Sequence, residues 1–335
     1  MLLTRNVYSE PGRFGGWPAN HGIWGWGNEI VVGFQSCFFK VIDDGSHAID
    51  KSKPRKNLQA RSLDGGRSWN IEDGPSEQTK NNSPVDSKAL SAFDFTSVDI
   101  AISFESNKTE KGTMLQYVSL DRCKSWQGPY LVRLFEDRTI EPRIDYIIKD
   151  KQSVFAFLTA YKENGEEGNI FCARYDGGIW RFVSWLDVEQ DGFLIMPSTI
   201  QMGVHGFLTT ARWQREGRWG ISSYRSEDEG VSWITYASVF DGIGLSNPPS
   251  LLRLQDGRLC VTYAKRTTPY GIYARLSEDD GRTWGDERVL RDDGGHWDLG
   301  YTRSYQLPNG EIVTIYYFCR DKKSERTIEA TIWRA

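Results

Sequence analysis

The sequence predicts an all-β protein, a six-bladed β-propeller with four antiparallel strands in each blade. Three observations predict it: an eight-residue motif that recurs along the chain, an even spacing between its copies, and strand-like segments joined by tight turns. Internal repeats of this length indicate an architecture built from equivalent units. All 335 residues are expected to form one propeller.

The repeated motif has the pattern Ser-x-Asp-x-Gly-x-x-Trp. Good copies lie at residues 62–69, 119–126, 226–233 and 277–284, with a degenerate copy at 175–180. The intervals are roughly 50 to 57 residues, the size of one four-stranded blade. A sixth, eroded copy is expected near Asp321. Blades are therefore predicted at approximately 14–75, 85–135, 140–188, 193–240, 246–292 and 298–335, the last completed by residues 4–9.

The motif has a structural explanation. In a turn, an Asp carboxylate accepts hydrogen bonds from backbone N–H groups and from a Ser or Thr hydroxyl. Gly takes the position with positive φ, so Cys123, which replaces it in the second copy, is expected to be strained. The Trp is expected to pack between blades. The motif aspartates are therefore predicted to be structural, not catalytic or calcium-binding.

The segments around the motifs alternate in polarity as expected for half-buried antiparallel sheet. Asp256-Gly257 and Asn309-Gly310 each join two such segments, and these dipeptides are strong hairpin signals. The last blade has only three strands of its own. We therefore predict that Thr4–Ser9 supplies its fourth strand and closes the ring.

The composition argues against several classes of protein. Charged residues make up 26% of the chain and the formal net charge is −4, so neither nucleic acid nor a membrane surface is an expected partner. No apolar run is long enough for a membrane span. The N-terminus lacks the features of a secretory signal, which predicts a cytoplasmic protein, or a secreted or periplasmic one if a signal was removed. The sequence indicates no cofactor and no metal. The five widely spaced cysteines are predicted to be buried free thiols: Cys37, Cys123, Cys172, Cys260 and Cys319.

Propeller topology restricts where a site can lie. The 1–2 and 3–4 turns of each blade share one face, and the 2–3 loops and blade-to-blade loops share the other. Because the motifs occupy 3–4 turns, the opposite face is free to carry function. The 2–3 loop of blade one, about residues 35–57, is unusually long and contains Asp43, Asp44, His47 and Asp50.

Ionisable and aromatic residues recur at the central positions of this face. The binding candidates are Trp17, Asn20, His21, Arg143, Arg212, Trp213, Asn247, Arg266, Arg303 and Arg320, and the catalytic candidates are His47, Asp50, Glu141, Asp298 and Tyr301. Cations recur there although the protein is acidic, which predicts an anionic ligand, most simply a carboxylate. Any single Tyr or Arg at a strand start is more often part of the packing. The functional interpretation depends on the convergence of several such residues on one face.

The repeated motif resembles the Asp box of sialidases and related propellers, over nearly the whole chain. Residues 300–317, with Tyr301 nine residues before Gly310, look like the sialidase segment that carries the nucleophilic tyrosine. The resemblance implies that Tyr301 is the nucleophile, that a Glu activates it (Glu141 is a possible partner), and that an Asp on the blade-one loop is the acid/base. It also implies three arginines that bind the substrate carboxylate, the first of which has no counterpart at residues 16–18.

Residues 14–24, together with His47-Ala-Ile-Asp50, resemble a second group of sialidase-like propellers. These act on rhamnose linked to glucuronate, by hydrolysis or by β-elimination, and some use one histidine on this loop. This resemblance covers mainly blade one, and its members usually have seven blades.

Three functions stay open at this point. The favoured one is an exo-acting glycoside hydrolase for a glycan with a sialic or uronic acid, in which Tyr301 is the nucleophile and His47 or Asp50 the acid/base. The second is a lyase or hydrolase of a rhamnose–glucuronate linkage; in the lyase an arginine neutralises the uronate carboxylate while His47 and Tyr301 transfer protons. The third is a non-catalytic propeller that binds glycan or protein. The partner expected for an enzyme is an oligosaccharide or polysaccharide with a carboxylate.

Overall fold

The computed structural model describes residues 2–42, 45–188, 191–242 and 247–335. Their strands form six separate sheets, which are the blades of a propeller. The predicted fold class is confirmed. No helix within the described ranges is both long enough and apolar enough to span a membrane.

The first half of the chain forms blades one to three. In order it contains β1 (Leu3–Tyr8), β2 (Arg13–Gly16), α1 (Pro18–His21), β3 (Ile23–Trp26), β4 (Glu29–Phe38), β5 (Lys56–Ser62), β6 (Asn70–Asp73), α2 (Pro75–Gln78), β7 (Val85–Asp86), a 3₁₀ helix (Ser87–Ala92), β8 (Ala101–Ser106), β9 (Thr113–Ser119), β10 (Gln127–Arg133), β11 (Ile140–Glu141), β12 (Tyr146–Asp150), β13 (Ser153–Ala160), β14 (Asn169–Asp176) and β15 (Ile179–Trp185). Blade one has the order β2-β4-β5-β6, blade two β7-β10-β9-β8 and blade three β11-β13-β14-β15. In addition, β3 pairs with β4, and β12 pairs with β13.

The second half forms blades four to six. It contains β16 (Phe193–Met202), β17 (Gly206–Arg215), β18 (Arg218–Ser226), β19 (Ile234–Asp241), β20 (Ser250–Arg253), β21 (Leu259–Lys265), β22 (Tyr270–Ser277), β23 (Arg288–Gly294), β24 (Gly300–Gln306), β25 (Ile312–Phe318) and β26 (Thr327–Trp333). Blades four and five each use consecutive strands, and blade six has the order β1-β26-β25-β24. Because β1 runs antiparallel to β26, with Leu3 opposite Ile332, the N-terminal strand closes the ring as predicted.

The position near Asp321 is not a sixth copy of the motif turn. Asp321 lies in the loop between β25 and β26, which is the 2–3 connection of blade six and belongs to the opposite face. The 3–4 position of this blade lies between β26 and β1, which come from opposite ends of the chain. The expectation of an eroded copy was wrong because no chain segment connects these two strands in a turn.

The four good copies of the motif form the same hydrogen-bonded turn. In the first, the Ser62 hydroxyl donates to Asp64 Oδ1 at 2.9 Å, and Asp64 accepts from the N–H (2.9 Å) and the hydroxyl (2.6 Å) of Ser68. Equivalent bonds recur in the other three copies. The motif carboxylates are thus satisfied within their own turns, which supports their structural interpretation.

The second copy shows how the turn tolerates a residue other than glycine. Cys123 has φ of 63°, in the left-handed region that the equivalent Gly66 also adopts with φ of 83°. Trp126 of the same copy donates through Nε1 to Gln59 Oε1 at 3.1 Å. This hydrogen bond connects blade two to blade one. All five cysteines are free and buried, as predicted.

Removing a motif carboxylate is expected to lower the melting temperature in a pH-dependent way. Hydrogen bonds, above all from the Thr283 hydroxyl, lower the pKa of Asp279 to about 2. Since the pKa in the unfolded chain is about 4, this stabilisation is complete above pH ~4 and is lost as the pH falls toward 2. The Tm difference between wild type and Asp279→Ala should therefore be largest near neutral pH and shrink in acid. Asp286→Ala, at an exposed position, is the control, and a pH-independent Tm difference for Asp279→Ala would contradict the explanation.

Blade two departs from the predicted set of four antiparallel strands. Its β7 has only two residues and pairs in parallel with β10 at the outer edge. The inner edge is β8, and within the described residues no strand pairs with its inner side. Instead, Tyr146 Oη of blade three accepts from the N–H of Ile102 on β8 (3.2 Å) and from Nε1 of Trp24 in blade one (3.1 Å). The Tyr146 side chain thus bonds the strand edge that an innermost strand of blade two would otherwise pair with.

Candidate active site

A cavity of about 450 Å³ lies on the face opposite the motif turns, over blades one, two and three. Its wall includes seven of the predicted residues: Trp17, Asn20, His21, His47, Glu141, Arg143 and Tyr301. They come from the α1 turn, the blade-one 2–3 loop, the start of blade three and the start of blade six. The fold therefore brings together residues from distant parts of the sequence.

The innermost strand of blade one is split, and the split forms part of the cavity wall. Both β2 and β3 pair with β4, and α1 lies between them. Trp17 precedes α1 with φ of 59°, and Pro18 at the first helical position favours the start of the helix. A Cβ at Gly33 would lie 2.3 Å from the backbone oxygen of His21. Gly33 therefore allows α1 to lie directly over β4 and to present its side chains to the cavity.

His47 is held by a buried carboxylate. Its Nδ1 lies 2.6 Å from Asp298 Oδ1, and its ring packs edge-on against Trp17, with ring centres 5.0 Å apart. Because an ionised carboxylate only accepts hydrogen bonds, Nδ1 carries the proton and Nε2 is left for the cavity. Burial lowers the pKa of His47, although the bond to Asp298 acts in the opposite direction. The imidazole can therefore take up and release a proton at Nε2.

Asp298 is fully buried and fixed from several sides. Besides His47, it accepts hydrogen bonds from Tyr317 Oη at 2.9 Å, Arg326 Nε at 3.1 Å and the Ala48 N–H at 3.3 Å. Burial disfavours its charge, but the hydrogen bond and charge of His47 and the charge of Arg326 outweigh burial and hold the pKa of Asp298 well below its usual range. Asp298 is thus a charged positioning residue for His47. Tyr317 and Arg326 were not among the predicted residues.

Tyr301 lies on the cavity wall in a strained backbone conformation, with φ of 56°. The Asn247 side chain secures it: Oδ1 accepts from the Tyr301 N–H at 2.7 Å, and Nδ2 donates to Leu299 O at 3.1 Å. A Cβ at Gly300 would lie 2.4 Å from Asn247 Oδ1. Asn247, predicted to bind substrate, therefore positions Tyr301. In the described part of the chain, no hydrogen bond is made to Tyr301 Oη.

Two buried arginines lie close to Tyr301. The Arg266 guanidinium is 5.4 Å from the centre of the Tyr301 ring. The Arg212 guanidinium lies 5.0 and 5.3 Å from the ring centres of Phe193 and Trp219, and burial lowers its pKa. Neither arginine forms a salt bridge with a carboxylate of the described residues. Burial disfavours the charge of both arginines, but the charges of Tyr317, Tyr301 and Asp298 outweigh it at Arg266 and raise the pKa of that residue. Arg212, whose pKa is lowered, is therefore the buried charge that supports the predicted anionic ligand.

Arg303, also predicted to bind substrate, is a structural residue of the channel. Its Nη2 donates to the backbone oxygens of Ala19 and Ile144, both at 2.6 Å, and so joins blade six to blades one and three. Burial lowers the pKa of Arg303, and the charge of Asp145 opposes the shift. One nitrogen of the guanidinium that was expected to meet a substrate is thus used within the protein, while Nε is buried without a hydrogen-bond partner among the described residues.

Several candidates lie behind the cavity wall and do not line it: Asn247, Asp298, Arg212, Arg266 and Arg303. Three further candidates do not line the cavity either. Arg320 has a side chain that is 60% exposed and forms a salt bridge at the outer side of blade six. Asp50 accepts hydrogen bonds from the N–H and the hydroxyl of Ser52 in its own loop. Trp213 packs in the core between blades three and four. Asp43 and Asp44, on the same loop as His47, lie outside the described residues.

The predicted pairing of Glu141 with Tyr301 is not present among the described hydrogen bonds. Glu141 Oε1 instead lies 3.2 Å from Nη1 of Arg143. His21 is neutral, because burial and then the charge of Arg143 lower its pKa to about 3. Asn20 Oδ1 is buried without a hydrogen-bond partner in the described part of the protein, so it is an acceptor available to a ligand.

The cavity extends over the shortened blade two, where Phe104–Ser106 line it directly. Glu105 Oε1 accepts from Asn57 Nδ2 at 3.0 Å, and Asn57 Oδ1 accepts from Gln35 Nε2 at 2.9 Å. Burial raises the pKa of Glu105. This arm of the cavity is polar and lies over blade two, whereas Tyr301 comes from blade six and His47 from the loop of blade one. Over the residues that the structure describes, no cluster of three or more His, Cys, Asp or Glu side chains is placed to hold a metal ion.

The fold and the cavity define a six-bladed propeller with an ionisable site on the face opposite its motif turns. No family model and no curated protein matches the sequence. Among solved structures, the chain is similar to a protein of unknown function from Dyadobacter fermentans (20% identity, TM-score 0.76, 99% of both chains). It is also similar to a mutant of the NanB sialidase of Streptococcus pneumoniae (10%, 0.64, 98% of this chain and 70% of that one). A third similar structure is the α-L-arabinanase of Penicillium chrysogenum complexed with arabinobiose (10%, 0.65, 98% of both). At these identities the likeness establishes the fold.

Proposed function

We propose that this protein is a carbohydrate-active enzyme, an exo-acting glycoside hydrolase that removes an anionic sugar, a sialic or uronic acid, from the end of a glycan. The observation that carries the proposal is the His47–Asp298 pair, in which Nδ1 is 2.6 Å from a buried carboxylate and Nε2 is left for the cavity. A histidine oriented in this way is suited to general acid–base catalysis. The fold shared with a sialidase and an arabinanase is consistent with a sugar substrate.

The buried charges support an anionic sugar. Arg266 lies 5.4 Å from the centre of the Tyr301 ring, Arg212 is near enough to interact electrostatically with Tyr301, and each arginine is 7% exposed. A substrate carboxylate would compensate their charge and would place the sugar against the Tyr301 ring. The cavity volume of about 450 Å³ suits a terminal sugar together with the unit that follows it.

In the hydrolytic reaction, His47 protonates the glycosidic oxygen while Tyr301 Oη attacks the anomeric carbon. The bond to the leaving group breaks and a glycosyl–tyrosine forms, with the phenol proton passing to Glu141 on the same wall. A water molecule, deprotonated by His47, then attacks the anomeric carbon and releases the sugar. The Tyr301 phenolate leaves the anomeric carbon and recovers its proton from Glu141, while His47 keeps the proton taken from water, so the enzyme returns to its starting state and one water is consumed in each turnover.

A β-elimination is the second candidate, and the surroundings of Tyr301 favour it. Glu141 is bonded to Arg143, and no carboxylate of the described residues is hydrogen-bonded to the phenol that would be the nucleophile. In an elimination, one of His47 and Tyr301 removes the C5 proton of a uronate, the C4–C5 double bond forms and the C4–O bond breaks. The other residue protonates the leaving oxygen. The arginines stabilise the charge that develops on the carboxylate.

Product analysis on a panel of sialylated and uronate-capped glycans distinguishes these reactions. Released sugar without the ultraviolet absorbance of an unsaturated uronate identifies hydrolysis. Released product with that absorbance identifies elimination. Folded protein that yields neither product would contradict both and would indicate a propeller that binds glycan or protein without cleaving it.

Glu105→Gln is expected to reduce kcat/KM about tenfold for substrates whose leaving group is a sugar. Glu105 lines the arm over blade two, and its carboxylate can accept further hydrogen bonds from sugar hydroxyls. A hydrogen bond to a charged group contributes about 1.5–3 kcal/mol, and ~1.4 kcal/mol corresponds to tenfold. Aryl glycosides of the same anionic sugar, which lack the second sugar, are the control. An equal reduction on both substrates would contradict this placement of the leaving group.

A further inference from the structure

Hydrogen bonds connect an arginine beside Tyr301 to the imidazole of His47 without interruption. Arg266 Nη2 donates to Tyr317 Oη at 2.8 Å, and Tyr317 Oη donates to Asp298 Oδ1 at 2.9 Å. The same carboxylate oxygen lies 2.6 Å from His47 Nδ1. Tyr317 and Asp298 are fully buried, and bonds in such a low-dielectric environment polarise one another.

The Tyr317 hydroxyl fixes the donor-to-acceptor direction of this series of hydrogen bonds. It has one proton, and because its oxygen accepts from the Arg266 guanidinium, that proton is directed to Asp298. A cation behind the oxygen makes the hydroxyl a stronger donor, which withdraws negative charge from the carboxylate. Asp298 then stabilises a proton on His47 less well, so the positive charge of Arg266 keeps His47 a weaker base.

The other charges near His47 each raise or lower its pKa. The charges of Arg266 and Arg212 lower the pKa of His47, in addition to the effect of burial, and Asp298 raises it. Arg326 bonds Asp298 from its other side. His296 also lies near Arg326 and Asp298 and has a pKa lowered first by burial. Of these cations, Arg266 and Arg212 are the ones near Tyr301, and neither forms a direct salt bridge within the described part of the chain, although the charge of Asp298 acts on Arg266.

We propose that Tyr317 couples the binding of an anion beside Arg266 to the protonation of His47. A carboxylate bound there offsets the positive charge of Arg266 and Arg212, so Tyr317 becomes a weaker donor and Asp298 holds the His47 proton more firmly. Substrate binding would thus prepare His47 to protonate the leaving oxygen. The inference rests on the proposed function, because the bound carboxylate is that of the substrate. Tyr317 acts through Asp298 and is a positioning residue.

The test is an NMR titration of the histidine side chains, of which the protein has only four. The probe is D-glucuronate, methyl glucoside is the neutral control, and His47→Gln assigns the resonance of His47. Glucuronate is expected to raise the pKa of His47 in the wild type and to raise it clearly less in Tyr317→Phe. Arg266→Gln, without any ligand, is expected to raise the pKa of His47 because one repelling charge is removed. Methyl glucoside should leave the titration unchanged.

Several outcomes would overturn the coupling. These are a His47 titration that glucuronate does not move in the wild type, an equal shift in Tyr317→Phe, or an unchanged pKa in Arg266→Gln. Because the readout is a titration, it does not require turnover. An inactive protein that shows the shift would refute the proposed function alone, and an active protein without it would refute the coupling alone.

Discussion

His47→Ala is expected to lower kcat about 10²- to 10⁴-fold on the anionic glycan that the protein cleaves, the contribution typical of a general acid–base group. The side chain is 28% exposed and its one direct ionic partner among the described residues is Asp298, so its removal should leave the fold intact. Because burial lowers the pKa of His47, the limb of the pH–rate profile that it governs should lie below pH ~6.5. That limb should be absent in His47→Ala.

The matched control is His205→Ala. His205 lies in a turn on the motif face, where its ring is 3.0 Å from Glu229. This variant should retain both the rate and the pH profile of the wild type. Asp298→Asn provides an independent check, because loss of the carboxylate removes the interaction that raises the pKa of His47 and should move the limb to lower pH. A pH profile that is unchanged in His47→Ala would show that His47 does not transfer the proton.

Tyr301→Phe is expected to lower kcat about a thousandfold or more, since both candidate reactions need the phenol oxygen, as a nucleophile or as a proton-transfer group. No hydrogen bond is made to Tyr301 Oη within the described residues, and Asn247 secures the backbone of this residue and not its hydroxyl. The melting temperature should therefore stay within a few degrees of the wild type. Steady-state kinetics together with thermal unfolding measure both effects.

Tyr236→Phe is the control for this variant. Tyr236 lies on the outer strand of blade four, where its hydroxyl accepts from Arg225 at 3.0 Å, so the variant should keep full activity. Retained turnover in Tyr301→Phe would exclude both roles of the phenol. Loss of turnover that is accompanied by a large fall in melting temperature would instead assign Tyr301 to the packing of the channel.

The repeat predicted the fold because each copy is a local unit whose hydrogen bonds form within eight residues. The closure of blade six by the N-terminal strand followed from counting strands. The two errors in the predicted fold concern segments that lack a copy of the motif or a regular strand. Asp321 resembles a turn residue but lies on the other face, and blade two has side chains such as Tyr146 in place of its innermost strand. No local sequence signal marks that exchange.

The site was harder to predict because its contacts join distant parts of the chain. His47 and Asp298 are separated by 251 positions, and both were selected only because they lie on the same face. The position of a residue along a strand does not predict whether its side chain reaches the cavity. Tyr301 and Arg303 are two residues apart on β24, yet Tyr301 lines the cavity and Arg303 bonds backbone oxygens inside the channel. Tyr317 is not among the predicted residues, because a tyrosine in an apolar strand normally belongs to the packed core. Its role depends on the partners of its hydroxyl.

The most direct test of the enzyme proposal compares wild type and His47→Ala on the same panel of sialylated and uronate-capped glycans, with released sugar and unsaturated uronate both measured. We expect the wild type to release a terminal anionic sugar and His47→Ala, equally well folded, to release about 10²- to 10⁴-fold less. Equal release by the two proteins, or no release by folded wild type, would contradict it.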